Sequence, residues 1–145
     1  MVKYLIIVFG LLLFSLDSFA EDTFGDFNNV QFDHNYDADT INVNIPNVPS
    51  IIGDKIGVRI YGIDTPEIKG HCLKEIQIAV KAKEYVTLKL KNAKQIDLKN
   101  IRRDKYFRIL ADVYYDNILL SNDLIKLKYA RPYFGDTKQS WCPSK

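Results

Sequence analysis

The sequence has few of the residues that build thiolate or imidazole metal sites. It contains 2 Cys and 2 His in 145 residues, and no C-x-x-C spacing. A zinc site of Cys72, Cys142, His34 and His71 is therefore the weaker interpretation of the cysteines. The one long apolar run, residues 4–14, has about half of the roughly 20 residues that a membrane-spanning helix needs. Internal repeats and low-complexity segments are also missing, which excludes solenoid and linker-like chains.

The first 20 residues have the features of an export signal. Lys3 precedes the apolar run, and the small-x-small pattern at 18–20 is followed by the acidic Glu21. A short N-terminal membrane anchor is the alternative. We predict a signal peptide over 1–20 and one domain over 21–145. The mature protein is then secreted or periplasmic, has no membrane segment and is expected to be a monomer.

The two cysteines favour a disulfide. An even number of cysteines in an exported chain is typical of disulfide bonding. A bond between Cys72 and Cys142 would close a long loop and contribute on the order of 4 kcal/mol in the chain-entropy model.

Charge is distributed unevenly although the net charge is only +2. Residues 21–80 hold 4 Lys/Arg and 10 Asp/Glu, whereas residues 81–108 hold 10 and 3. A small protein with one acidic and one basic region can bind a cation and a polyanion together. A solvated helix face and a charged hairpin explain much of the lysine content equally well.

Hydrophobic periodicity predicts a mixed α+β fold. Alternation predicts strands in "DTINVNIP", "VRIYGI" and "KQIDLKNI", and a hairpin whose turn is Asp116–Asn117. A helical stripe predicts one long helix from about 72 to 92, and Ser121 can cap a shorter helix through about Lys128. A small closed or partly closed barrel with helices packed on it fits this order.

Four acidic residues surround two of the predicted strands. Asp37 and Asp39 precede one strand, and Asp64 and Glu67 follow the next, so antiparallel pairing would bring Asp39 and Asp64 together. Two carboxylates are stable side by side chiefly with a cation between them. Oxygen ligands without imidazole or thiolate suit calcium or magnesium. For Asp37 alone, an Asx turn opening the strand is the favoured interpretation.

Two arginines complete this pattern. Guanidinium groups bind phosphate through paired hydrogen bonds and keep their charge at working pH. Arg59 and Arg108, together with metal-binding acids and Glu67 as a proton acceptor for water, describe a phosphodiester-cleaving site.

Three segments of the sequence resemble the motif blocks of the thermonuclease (staphylococcal nuclease-like) family. They are "DADT", "RIYGIDTPE" and "DKYFRILADVY", in the family order. The resemblance implies an OB-fold with a five-stranded barrel and about three helices. It also implies a calcium-dependent endonuclease that acts on DNA and RNA and leaves 3′-phosphate ends.

The resemblance also implies individual roles. Calcium ligands would be Asp39, Asp64 and the backbone carbonyl of Thr65; the catalytic residues would be Arg59, Arg108 and the general base Glu67. Tyr106 would contact a terminal phosphate. A base needs only an aromatic face, so Tyr133 and Phe134 both qualify for stacking, and single strands should be preferred over duplex.

The sequence departs from the family pattern at two positions, and two other functions compete with the nuclease interpretation. Ala38 stands where glycine is common, and Phe107 stands where "KYGR" is usual, although a positive φ favours glycine there. A non-catalytic OB-fold module that binds nucleic acid would have lost one of the acids or arginines, and none is lost. An OB-fold that binds sugars or protein would not pair acids with arginines.

Overall fold

The computed structural model describes residues 23–104 and 106–143. The predicted signal peptide, 1–20, and the cleavage point before Glu21 lie outside these ranges. Within them, no helix combines the length and the apolar character that crossing a bilayer requires.

The described chain contains eight strands and three helices. The strands are β1 (Gln31–Asn35), β2 (Thr40–Asn44), β3 (Ile56–Ile60), β4 (Ile63–Asp64), β5 (Ile96–Arg103), β6 (Ile109–Tyr115), β7 (Ile118–Leu119) and β8 (Arg131–Pro132). The helices are α1 (Ser50–Gly53), α2 (Leu73–Asn92) and α3 (Leu120–Lys126). The predicted α+β class is confirmed.

The main sheet follows the order β1-β2-β3-β6-β5, with the short β7 added to β6. Its pairs are antiparallel except β3 with β6, and β4 pairs with β8 in a separate two-stranded sheet. Residues before β1 also hydrogen-bond to β5, since the amide of Phe27 donates to the carbonyl of Leu98 at 2.9 Å. These pairings define a mixed fold and do not by themselves establish the predicted closed five-stranded barrel.

The alternation predicted for β2 is confirmed, whereas that for the next strand is interrupted. Ile41 and Val43 are fully buried on one face of β2. The predicted strand over 58–63 splits into β3 and β4, because Gly62 takes a φ of +78° between them. Ile63 consequently packs into the core instead of sharing the face of Arg59.

Helices α2 and α3 cover the sheet with buried stripes of apolar residues. On α2 the buried face contains Ala79, Ala82, Val86 and Leu90, whereas Val80 is 40% exposed. The helix predicted to start at Ser121 begins at Leu120 with Leu119 at the N-cap and no side-chain cap. Ser121 is wrong as a cap because it is buried within the first turn.

Cys72 and Cys142 form the predicted disulfide, with Cα atoms 5.9 Å apart. The bond joins the start of α2 to the C-terminal segment, 70 residues away. The alternative zinc site is wrong, since no cysteine of the described chain is free.

Candidate functional site

Asp39 and Arg59 are paired across neighbouring strands. The antiparallel register places Thr40, the first residue of β2, opposite Arg59 of β3. Nη1 of Arg59 donates to Oδ1 of Asp39 at 2.9 Å, and Asp39 is 3% exposed. A buried carboxylate needs such a partner, because an unpaired buried charge costs several kcal/mol. The sheet register therefore fixes one acid and one phosphate-type cation side by side.

Asp64 ends β4 and is buried between two side chains from the C-terminal segment. Nε1 of Trp141 donates to its Oδ2 at 3.1 Å. Nζ of Lys138 lies 2.6 Å from its Oδ1. The ammonium approaches outside hydrogen-bond geometry, so among the described residues Oδ1 is a buried oxygen with an ion pair but no hydrogen bond. Thr65, the next residue, is also buried.

Lys138 connects the two acidic parts of the site. Its Nζ also lies 3.9 Å from Oε1 of Glu67 and 5.8 Å from the ring centre of Tyr133. Burial lowers the pKa of Lys138, but the close contact with Asp64 outweighs burial and leaves the pKa raised. Its ammonium is therefore charged while it faces Asp64.

Glu67 stands on a loop that a second glutamate holds in place. Glu75 is buried in the first turn of α2, and its carboxylate accepts the backbone N–H groups of Glu67, at 3.3 Å, and of His71, at 2.8 Å. Gly70 leaves room for this contact, since a Cβ there would lie 2.6 Å from the Glu75 side chain. The Glu67 side chain itself is 59% exposed, so water can reach its carboxylate.

Arg108 follows a turn that Asp104 organises. One oxygen of Asp104 accepts the backbone N–H groups of Tyr106 and Arg108, and the other contacts Nε and Nη2 of Arg108 at 2.7 Å. Burial raises the pKa of Asp104, but these hydrogen bonds outweigh it and lower the pKa. Phe107 takes a φ of +67° in this turn. The backbone therefore follows the path that glycine usually provides, at a cost of about 1–2 kcal/mol.

A cleft of about 740 Å³ brings most of the predicted site residues together. Its lining includes Asp39, Arg59, Glu67, Tyr106, Arg108, Tyr133 and Phe134. Asp64 lines an adjoining cavity of about 380 Å³ instead, and the two spaces share Tyr133, Phe134 and Lys138. Lys138 thus lines both the cleft that contains Asp39 and the cavity that contains Asp64.

Both candidate stacking residues are at the cleft. Phe134 is 68% exposed, and its ring meets that of Tyr61 edge-on at 5.7 Å. Tyr133 is fixed through its backbone N–H, which donates to the carbonyl of Gly62 at 2.9 Å. Tyr106 is also largely exposed, and Arg108 lies 5.4 Å from its ring centre. The lining thus offers aromatic faces beside guanidinium groups.

Asp37 has a raised pKa. Burial, followed by the negative charge of Asp39, raises the pKa of Asp37 from 3.8 to about 6. Its Oδ1 accepts the backbone N–H of Thr40 at 3.0 Å, which is the predicted Asx turn.

Sequence reasoning missed four residues of the site: Glu75, Asp104, Lys138 and Trp141. Asp104 could have been found, since an aspartate two to four residues before a turn arginine is a common local cap. Trp141 adjoins Cys142, so the predicted disulfide already implied that it lies near the start of α2. Nothing in the sequence signals Lys138, whose contact with Asp64 spans more than 70 residues.

Comparison with models of protein families gives a match. The family model described as staphylococcal nuclease homologue matches residues 57–141, which is more than half of the chain. The match contains Arg59, Asp64, Glu67 and Arg108, and it begins after Asp39. A comparison with curated proteins finds no match.

The raised pKa of Asp37 predicts a specific pH dependence of stability. A carboxyl whose pKa is higher in the folded than in the unfolded state stabilises the fold when protonated. In chelator, this contribution should be present below about pH 4 and lost as the pH rises through about 6. Asp37→Asn should therefore flatten the urea-unfolding free energy between pH 4 and 6, while its amide oxygen still accepts the N–H of Thr40.

The matched variant is Asp39→Asn, which removes the neighbouring charge and should lower the pKa of Asp37. Carboxyl ¹³C NMR follows Asp37 directly. Titration of Asp37 near pH 4 in the unsubstituted protein would contradict its raised pKa.

Proposed function

The chain belongs to the staphylococcal nuclease homologue family, and we propose that it is an exported, calcium-dependent nuclease. It would hydrolyse phosphodiester bonds of DNA and RNA and leave 3′-phosphate ends. Family membership alone indicates a nuclease or a nucleic-acid-binding protein. The catalytic proposal rests on one observation: two arginines, the exposed Glu67 and the buried Asp39 line a single cleft, with Asp64 next to it.

The donor set fits calcium. Asp39, Asp64 and the carbonyl of Thr65 offer only oxygen atoms, which hard cations prefer. Oδ1 of Asp64 is buried without a hydrogen bond among the described residues, so it suits a cationic partner. Bound calcium would supply positive charge that polarises water and neutralises charge on the phosphate.

The remaining catalytic roles belong to side chains of the protein. Glu67 is exposed and held by its backbone, so its carboxylate can take the proton from the attacking water. Arg59 is fixed by Asp39, and Arg108 by Asp104, so each presents a guanidinium of restricted geometry to the phosphate. Preorganised donors of this kind stabilise the charge that develops during hydrolysis.

A non-catalytic nucleic-acid-binding protein is the second candidate. The arginines and the exposed aromatic residues at the cleft would serve binding alone. Binding alone does not require a solvent-exposed carboxylate beside the phosphate arginines, where its charge repels the ligand. Glu67 therefore favours the catalytic proposal.

We infer that single strands are the preferred substrate. Tyr106, Tyr133 and Phe134 offer ring faces at the cleft, and bases of a duplex are not available for stacking. Arg59 and Arg108 would contact phosphates independently of the base sequence.

The general-base role of Glu67 predicts a separation of catalysis from metal binding. Glu67→Gln keeps the shape but removes the proton acceptor, so turnover should fall by about 10²–10⁴-fold. Calcium affinity should change little, whereas Asp64→Asn should lower both. Digestion of denatured DNA, with calcium or with chelator, gives turnover, and calorimetric titration gives the calcium affinity.

Glu84→Gln is the control, because Glu84 is an exposed glutamate on α2 outside the cleft. It should leave both quantities unchanged. Full turnover of Glu67→Gln, or full turnover in excess chelator, would refute the mechanism. Calcium binding without any hydrolysis by the unsubstituted protein would favour the binding-only candidate.

Phosphate recognition predicts salt-sensitive binding. With hydrolysis blocked by Glu67→Gln, the affinity for a fluorescent oligonucleotide should fall as salt rises, and single strands should bind more tightly than duplex. Arg108→Gln should reduce the slope against log salt by about 1. Lys94 lies at the opposite end of β5 from Arg108, so Lys94→Gln should leave the slope unchanged. An affinity that does not change with salt would exclude phosphate contacts.

We also infer that the segment before β1 begins the mature chain and that it closes the sheet as an OB-type barrel. Residues 24–30 form backbone hydrogen bonds with β5 and then continue into β1. One of these bonds runs from the amide of Val30 to the carbonyl of Ile96 at 2.9 Å.

The intact mass of the exported protein should equal that of a chain starting at Glu21. The amides of Phe27 and Leu98 should exchange their hydrogens slowly. An unprocessed N-terminus, or fast exchange at both amides, would contradict this.

A further inference from the structure

The C-terminal residues 133–142 form a strap across the site, and the strap is fixed at both ends. At one end it follows β8, which pairs with β4. At the other end Cys142 is bonded to Cys72, and Trp141 donates to Asp64. Arg131 supports the same end, since its Nη1 donates to the carbonyl of Ser140 at 3.0 Å and its guanidinium stacks 3.9 Å from the Trp141 ring. Lys138 lies between these two anchors.

Lys138 makes its closest charge contact with the oxygen that fits a metal. Its Nζ is 2.6 Å from Oδ1 of Asp64, the buried oxygen without a hydrogen bond in the described chain. The other oxygen is held by Trp141, so the carboxylate cannot easily rotate to offer a different atom. An ammonium and a divalent cation therefore require the same lone pairs.

We propose that Lys138 is a tethered cation that competes with the divalent metal for Asp64 and thereby sets the calcium affinity of the site. This inference rests on the proposed calcium dependence. Because the strap is anchored at both ends, the effective concentration of the ammonium at Asp64 is on the order of millimolar or higher. Calcium binds only when the ammonium leaves Oδ1.

The position of Lys138 allows this exchange. Its side chain is about half exposed and lines both cavities, so the ammonium can leave Asp64 without unfolding the strap. The opposing interpretation is an ordinary surface ion pair, which contributes little and has no effect on metal binding. The burial of Asp64 argues against it, because a buried carboxylate gains more from a cation than an exposed one does.

Lys138→Gln tests the competition. Glutamine keeps a polar side chain at this position but carries no charge. Its calcium affinity, measured by calorimetric titration with CaCl₂, should be about three- to tenfold higher than that of the unsubstituted protein. Trp141 is the only tryptophan in the chain and touches Asp64, so its fluorescence gives a second, independent calcium titration.

Thermal unfolding gives a further comparison of Lys138→Gln with the unsubstituted protein. In chelator, Lys138→Gln should unfold at a lower temperature than the unsubstituted protein, because Asp64 has lost its counter-ion. In saturating calcium the difference should shrink or reverse, because binding to the folded state adds stability in proportion to affinity. Lys94→Gln makes the same charge change at the far end of β5 and should show neither effect.

The possible results distinguish the competition at Asp64 from the proposed calcium dependence and nuclease activity. Equal calcium affinities of Lys138→Gln and Lys94→Gln would overturn the competition while leaving calcium dependence intact. An unsubstituted protein that binds no calcium would overturn both. Tighter calcium binding by Lys138→Gln in a protein without nuclease activity would support the competition and refute the catalytic proposal alone.

Discussion

Neutralisation of two buried carboxylates is the constraint on which the site depends. Asp39 and Asp64 are almost inaccessible to water, and each is charge-paired with a side chain from another part of the chain. Arg59 reaches Asp39 across one strand pair, whereas Lys138 reaches Asp64 from the C-terminal strap. Removing one member of such a pair leaves an unpaired buried charge, which typically costs 3–5 kcal/mol. The fold must therefore hold these partners as firmly as it holds the acids.

Different kinds of contact hold the acids and the cations of the site in position. Strand register fixes Arg59, and a local turn built on Asp104 fixes Arg108. Asp64 depends on long-range contacts, because Trp141 and the Cys72–Cys142 bond bring the end of the chain back to β4. The loop of Glu67 depends on Glu75, one turn from the same disulfide. The positions of Asp64 and Glu67 are therefore coupled to the disulfide, whereas those of Arg59 and Arg108 are largely independent of it.

This difference explains how much the sequence alone can predict. The strand and helix classes, the hairpin turn at Asp116–Asn117 and the disulfide followed from periodicity, turn chemistry and cysteine number. The contact of Asp39 with Arg59 was not predicted, because antiparallel pairing of the two strands was expected to bring Asp39 to Asp64 instead. The break at Gly62 and the start of α3 did not follow, because packing of the core decides them. Lys138 and Glu75 had no local signal, since each acts through a contact that exists only in the folded chain.

Phe107 is another residue whose conformation depends on contacts in the folded chain. Its positive φ costs energy that glycine would avoid, yet the turn keeps its shape because Asp104 accepts two backbone N–H groups and contacts the guanidinium of Arg108. The hydrogen bonds offset the strain, so the position of Arg108 depends on Asp104 more than on the residue at 107. In return, the phenyl ring lies 4.7 Å from the guanidinium of Arg103 and adds an exposed aromatic surface beside the cleft. A departure from the family pattern can therefore preserve the position of Arg108 while adding aromatic surface next to Arg103.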